Sequence, residues 1–469
     1  MIKKKREKKI YHGLFFLVLF IFFVKGIFYI FLIPPWEAPD EPGHFSYIRY
    51  LYTYNSIPEK TTDIYDTAIN DSFFDQKKKL AQFASKGETE EKRELFDKSA
   101  YEPTAPVANL AASPPLYYIY LLPFYMASLS LSSIWTVLIL RVGSLLLGLI
   151  SVILVYKIIQ ALLPKYKSSP ILGMLMMACQ PMFTFISSVI NSDSMVIMFF
   201  LLFIFVSTRM VVNKEYKNMK QILLLGVVTG LSTLVKPQLV MLFPIYIFMV
   251  MVQLQTNYRN YVIPVLCAGV IPLLWYLPKV ISQGLGYFSY AVVGSNNANI
   301  PFWHYPFEFI MNKQPIGIFM SFWGNFGWLD VPMPKLVYIL MAIVIVIPLI
   351  KLFIEYGYRR VKSTKQQKGF RLLVISSVIY TVVIFLYDFM TFYKTQNFAI
   401  QGRYLLPIFP TLVIVMLAGY YMFNTKTRNM LLLLLIGVLL IAQLEMYLSI
   451  SQHYYNGYYL ISPIIRMYN

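Results

Sequence analysis

Carboxylates at the edge of a membrane-spanning segment need water, a cation or a reacting partner. This chain places two of them, Asp40-Glu41, just after its first apolar run, within Pro34-Pro35-Trp36-Glu37-Ala38-Pro39-Asp40-Glu41-Pro42-Gly43-His44-Phe45. The prolines fix φ on either side, so the acids are presented in a set position rather than on a loose tail. An aspartate in that setting is a candidate catalytic base. His44 follows Asp40 by four residues, one helical turn, so both side chains would reach one ligand. Asp40, Glu41, His44 and a later acid, Asp193, are the candidate ligands for a divalent cation, magnesium or manganese, or they position an acceptor. The plainer reading is that the two acids cap the helix that follows, since acids favour helix N-termini.

Other polar residues recur at breaks between apolar runs. Asn191-Ser192-Asp193-Ser194 occupies a very tight break, which also reads as a turn with an N-cap. Lys236 precedes Pro237, where a lysine also snorkels to lipid headgroups. Trp323, Trp328 and Asp330 share a long hydrophilic stretch, and the tryptophans suit either a sugar face or the membrane interface. Gln401-Gly402-Arg403-Tyr404 opens a late apolar run. A guanidinium there fits an anion, because it offers paired donors to two oxygens at once. The candidate substrate contacts are therefore Glu41, His44, Asn191, Asp193, Lys236, Trp323, Trp328, Asp330, Gln401, Arg403 and Tyr404. No glycine-rich phosphate loop, HExxH or GxSxG motif is present, which removes support for a soluble nucleotide substrate.

The elements that must hold these residues follow from composition. The 469 residues are 58% hydrophobic and only 13% charged, against roughly 25% charged in a soluble protein. Long apolar runs recur throughout, so the expected fold is an all-α polytopic membrane protein. Net charge is +19, but the bases cluster in short breaks between spans. That is the positive-inside pattern, not a nucleic-acid footprint. The cysteines, Cys179 and Cys267, both sit in apolar runs and read as packing residues.

Charge asymmetry sets the expected topology. Residues 1–13 are basic and are expected in the cytoplasm. Residues 34–113 hold 14 of the 22 acids but 9 of the 41 bases, as expected of an external loop. Basic breaks at 157–167, 214–220, 258–259, 359–371 and 426–428 are then internal. Parity requires that 114–130 not cross; it begins Pro-Pro, is tyrosine-rich, and is expected as a juxtamembrane or re-entrant helix, which extends the first external loop to 34–133. The expected spans are 14–33, 134–158, 169–190, 194–213, 221–235, 238–254, 260–281, 335–354, 371–391, 404–422 and 430–449. About eleven crossings leave a second external loop at 282–334 and an external tail at 450–469. Residues 75–98, alternating Lys and Glu, read as a solvated amphipathic helix.

With these residues in place, the chain resembles the GT-C superfamily of membrane glycosyltransferases, which includes protein O-mannosyltransferases and the lipid A aminoarabinose transferase. It is most similar to an uncharacterised bacterial membrane-protein family assigned to that fold. The resemblance rests on Pro39-Asp40-Glu41-Pro42-Gly43-His44-Phe45, Ser113-Pro114-Pro115-Leu116-Tyr117-Tyr118, Asn191-Ser192-Asp193, Lys236-Pro237, the run Ser321–Asp330 and Gln401-Gly402-Arg403-Tyr404-Leu405-Leu406-Pro407, in that order. It implies an inverting transferase at the outer face of the bacterial cytoplasmic membrane. The donor would be a sugar linked to a polyprenyl phosphate such as undecaprenyl phosphate. The acceptor would be a hydroxyl of a cell-envelope polymer, lipid or protein, with Asp40 as the base. Where the lipid A enzyme has a lysine before its Pro-Pro, this chain has Ser113, so Lys236 or Arg403 would supply the charge. A flippase, or a polymerase or ligase of lipid-linked saccharides, is the alternative.

Overall fold

The computed structural model describes residues 2–59, 110–213, 218–253, 262–283, 303–358 and 365–455. The expected amphipathic helix at 75–98 and the tail beyond 455 lie outside the described residues. The protein is an all-α polytopic membrane protein whose only strands among the described residues are a two-residue pair.

Long apolar sequence makes long helices because a backbone in lipid must satisfy its own hydrogen bonds. Helix α1 (Ile2–Leu32) carries the first span, and α2 (Glu41–Tyr54) and α3 (Leu116–Ala127) follow it. Next come α4 (Ser133–Leu162), α5 (Ser169–Ala178), α6 (Pro181–Ser187), α7 (Asp193–Asn213) and α8 (Met219–Thr233). A 3₁₀ turn, Pro237–Met241, leads into α9 (Leu242–Gln253), and α10 (Val262–Gln283) follows. Two short helices, α11 (His304–Met311) and α12 (Gln314–Trp323), precede the antiparallel pair β1 (Asn325–Phe326) and β2 (Val331–Pro332). The last part comprises α13 (Lys335–Tyr358), α14 (Lys365–Thr395), a 3₁₀ turn at Gly402–Ile408, α15 (Phe409–Tyr420) and α16 (Thr425–Tyr455).

Helices stand at all eleven expected span positions, but they are not equal. Among the described residues eight segments are long and apolar enough to cross a membrane, and α5 with α6 makes a ninth only as a pair bent by 65°. The bend follows from Gln180-Pro181. Proline cannot continue a helix from α5 but suits the first turn of α6, and the Gln180 side chain accepts from the Phe183 amide as its cap. With 15 and 12 residues, α8 and α9 are about 22 and 18 Å long, short of the roughly 30 Å hydrocarbon core. Helix α3 has 12 residues and is likewise too short to cross.

The centre of the bundle is α4 against α7, flanked by α1, α5 and α14; α13 packs on α15 and α16, and α8 on α10. Two charged side chains inside spans, neither singled out from sequence, lock this centre. Lys25 of α1 donates to the Ala178 carbonyl, to Thr184 Oγ1 at 2.9 Å and to Gln443 Oε1 at 2.9 Å. It thus fills the gap opened by the α5–α6 bend and neutralises the carbonyl end of α5. Arg141 of α4, fully buried, donates to the carbonyls of Ile30, Ile33 and Pro34 where α1 ends.

Candidate functional site

The turn between α1 and α2 is tightly specified. Trp36 and Asp40 both take positive φ, 70° and 65°, a conformation that costs an ordinary residue of order 1–2 kcal/mol and that, after glycine, asparagine and aspartate adopt most readily. Glu41 holds the turn. Its carboxylate takes Arg141 Nε at 2.8 Å and Nη2 at 2.7 Å, the Trp36 amide at 2.9 Å and the Ile190 amide at 3.0 Å. Both members of the pair are fully buried. This corrects the expectation that Glu41 contacts substrate or metal: each oxygen already has two donors, and the residue ties α1, α4 and the α6–α7 break to the turn.

Asp40 has the opposite disposition. It sits at the N-cap of α2 but makes no side-chain cap hydrogen bond, so its carboxylate is not spent on the helix. It points instead to Arg403, whose Nη2 donates to Oδ2 at 3.0 Å. On its other side Arg403 Nε lies 3.8 Å from Asp193 Oδ2, and Asp193 Oδ1 takes Lys236 Nζ at 2.5 Å. Four residues scattered over the sequence thus form one alternating row, Asp40, Arg403, Asp193, Lys236. Its interior is buried, with Arg403 and Asp193 side chains 3% and 5% exposed, and its ends open, with Asp40 37% and Lys236 23% exposed.

The row is positioned by local features. Gly402 lies so close to α12 that an added Cβ would overlap the backbone of Ile318 and Phe322, and its amide donates to Ser321 Oγ at 2.8 Å. That contact seats Arg403. Asn191 Oδ1 accepts the Asp193 amide at 2.8 Å, and Nδ2 reaches the Pro39 carbonyl at 3.3 Å. Asn191 is therefore a link between α7 and the Asp40 turn. Tyr404 lies beneath both cations, 5.3 Å from the Arg403 guanidinium and 5.7 Å from Lys236.

His44 is buried with Nδ1 3.0 Å from the Tyr118 hydroxyl, and Tyr118 stacks on Tyr47 at 3.7 Å. Burial pushes the His44 pKa down to about 4, against the pull of Asp40, while the charges of Lys236, Asp193 and Arg403 also act on it. The imidazole is therefore a neutral wall of the site.

The row is under-satisfied. Among the described residues, Arg403 Nε and Nη1, Asp193 Oδ2 and Gln401 Oε1 are buried without a hydrogen-bond partner. Buried polar groups normally have partners. Nε and Nη1 lie on different edges of the guanidinium, so an anion held by two nitrogens would use one of them together with Nη2, the nitrogen now on Asp40.

The cation expectation does not fit these residues. Glu41 belongs to Arg141, His44 to Tyr118, and Asp40 and Asp193 to the two basic residues; no group of three or more His, Cys, Asp or Glu is placed to hold a metal among the described residues. Trp323 is also corrected as a sugar-stacking residue, since it is 3% exposed and packs edge-on against Phe322 and Phe409. Trp328 is partly exposed, its Nε1 donating to the Trp36 carbonyl at 3.2 Å. Asp330 joins His453 of α16 at 3.5 Å rather than the arginine row. Burial opposes ionisation of Asp330, yet His453 beside it holds its carboxyl below the usual value. Asp388, another edge acid, is fully buried and accepts from the Tyr305 hydroxyl and the Ala399 and Ile400 amides. It fixes the loop before Gln401.

A family profile described as "Predicted membrane protein (DUF2142)" matches residues 22–412, a stretch that includes every member of the row. A comparison with curated proteins found no match. Two crystal structures of ArnT from Cupriavidus metallidurans, one in the apo state and one bound to undecaprenyl phosphate, are similar at 11% identity, with TM-scores of 0.47 and 0.49. Each match covers 92% of this chain and 63% of ArnT.

Proposed function

We propose that this chain, which belongs to the DUF2142 family of predicted membrane proteins, is a membrane glycosyltransferase that moves a sugar from a polyprenyl-phosphate-linked donor to an acceptor hydroxyl. The observation that carries the reading is the buried, half-used guanidinium of Arg403 bound to a half-exposed aspartate that caps nothing. The row stands at the ends of α1, α7 and the run into α9; the charge asymmetry of the loops supports reading that end as the extracytoplasmic face of a bacterial cytoplasmic membrane, with the basic N-terminus in the cytoplasm.

The donor phosphate occupies the Arg403 fork and extends to Lys236. A phosphodiester carries one negative charge and competes with Asp40 for Nη2. Taking that donor releases Asp40, so the base is freed only when the donor is bound. Asp40 then accepts the proton of the acceptor hydroxyl. The hydroxyl oxygen bonds to the anomeric carbon as the bond from that carbon to phosphate oxygen breaks, its electron pair leaving with the phosphate. Configuration inverts, and polyprenyl phosphate departs with one more negative charge than it had in the donor. Arg403 and Lys236 stabilise that growing charge more than the ground state, which is what accelerates the step. Base assistance of this kind contributes typically about 10²–10⁴-fold.

The transport reading expects a polar substrate site near mid-depth at a break in a helix. At the α5–α6 break that place is taken by the partly buried Lys25, which donates to three protein acceptors, and this favours a bracing role.

The test is transfer of labelled sugar from membranes loaded with a panel of undecaprenyl-phosphate sugars. Wild type transfers label to a polymer, lipid or protein; Asp40→Asn at equal protein level does not. Protein-dependent movement of lipid-linked sugar across the bilayer, with no transfer from any donor, would replace the transferase by a flippase.

A further inference from the structure

An open cavity lies outside the arginine row, between the Asp330–Pro334 segment and the last helix, α16. Its volume is about 490 Å³ and its lining is more apolar than polar, within the roughly 300–1,000 Å³ and the largely apolar character typical of small-molecule sites. From α16 it is lined by Glu445, Ser449, Gln452 and His453. Spacings of four, three and one put these four, together with the apolar Leu448, on one face of the helix. Ionisable residues within spans are expensive and are retained for function by default. No hydrogen bond or ion pair of Glu445 is found among the described residues. Across the cavity Asp330 approaches His453 at 3.5 Å, and Met333 supplies an apolar patch.

Both walls grip the catalytic turn. Trp328, two residues before Asp330, donates to the Trp36 carbonyl at 3.2 Å, and Tyr454, next to His453, donates to the Glu37 carbonyl at 3.4 Å. Residues flanking the cavity thus contact the turn four and three residues before Asp40.

We propose that this cavity binds the acceptor as a non-anionic saccharide, a neutral or amine-bearing sugar unit. The proposal rests on the transferase reading and adds the acceptor's class and place. Two carboxylates, an amide, a hydroxyl and an imidazole around an apolar patch are suited to a hydroxyl-rich ring. The same two carboxylates repel phosphate, which belongs at Arg403 and Lys236. The site thus sorts its two substrates by charge: anionic donor on the basic row, uncharged or cationic acceptor in the acidic cavity.

The test is saturation-transfer NMR on the full chain in detergent, with methyl β-D-glucoside, D-glucosamine and glucose 6-phosphate as probes and undecaprenyl phosphate binding measured in parallel. Wild type is expected to transfer saturation to at least one of the first two and not to the phosphate sugar. Asp330→Asn with Glu445→Gln is expected to reduce that signal at least fivefold, with undecaprenyl phosphate affinity unchanged. Ser449→Phe, which fills the cavity without altering charge, is expected to do the same. No signal from either sugar, equal signal from glucose 6-phosphate, or a signal indifferent to both variants would overturn the proposal. A saccharide signal that behaves as expected in a protein that does not bind undecaprenyl phosphate would keep the cavity and sink the transferase reading instead.

Discussion

Asp40 and Glu41 are neighbours in sequence, each pairs with a buried arginine, and they do opposite work. Glu41 and Arg141 are fully buried and fully satisfied, with paired nitrogens on paired oxygens and the remaining donors on the carbonyls that end α1. Asp40 and Arg403 are joined by one hydrogen bond at an open edge, and two guanidinium nitrogens are unmatched among the described residues. A completed buried ion pair is architecture, because any ligand would have to break it at a cost no new contact repays. An incomplete one leaves donors for a ligand, and on that ground we propose it as the site. Hydrogen-bond completeness, more than charge or burial, separates the frame from the proposed site.

Removing the completed pair should have the largest effect. Arg141→Met strands the Glu41 carboxylate in the core, a change typically costing about 3–5 kcal/mol, and the expected result is loss of folded protein or a large drop in thermal midpoint in detergent. Arg403→Ala should invert that pattern. The thermal midpoint shifts little, while transfer falls about 10²–10³-fold, the usual worth of one well-placed charge-stabilising donor, and undecaprenyl phosphate binding is lost. If Arg403→Ala unfolds the protein and Arg141→Met does not, the assignment of frame and site is reversed.

His44 sharpens the comparison through pH. Its imidazole stays neutral in the native protein down to about pH 4, because burial disfavours the cation, whereas the unfolded chain protonates it below 6.5. Between those values the unfolded state binds more protons, so native stability is full above pH 6.5 and falls as the pH drops toward 4. At about 1.4 kcal/mol per unit the loss is on the order of 3 kcal/mol. The thermal midpoint of His44→Gln should be less steep across this window than that of wild type; equal slopes would mean that the histidine is not the proton acceptor. The smallest loss of transfer is expected from Lys236→Gln, at the open end of the row and below that of Arg403→Ala. The thermal midpoint also falls, because Asp193, 5% exposed, loses its ammonium partner at 2.5 Å, but by less than in Arg141→Met, since a glutamine can still donate to the carboxylate.

Periodicity and charge asymmetry made the helices legible, including the 12-residue α3 where parity required a segment that does not cross. They could not show that α5 and α6 are bent apart, although Gln180-Pro181 was the signal, or that Pro237–Met241 begins as a 3₁₀ turn. Asp40, Asp193, Lys236 and Arg403 were legible as candidates because polar residues at span ends are costly without a purpose. The fate of Glu41 was not, since nothing local distinguishes it from Asp40. Only the positive φ at Asp40 and the distant Arg141 turn one acid outward and the other in. Arg141 and Lys25 carried a readable signal, a charge inside an apolar run, but were masked by attention to the span ends. Trp323 and Asp330 share one loop with Trp328, and sequence could not tell that the tertiary fold would bury the first and hand the second to His453.

The central claim is that Asp40 is a base held in check by the arginine that binds the donor phosphate. Asp40→Asn in purified protein tests it most directly, measuring sugar transfer and undecaprenyl phosphate affinity on the same sample. The account predicts that the two move apart: transfer falls by about 10²–10⁴-fold, while the lipid phosphate binds more tightly because its competitor for Arg403 has lost its charge. Transfer that survives, or affinity that falls together with transfer, would contradict it.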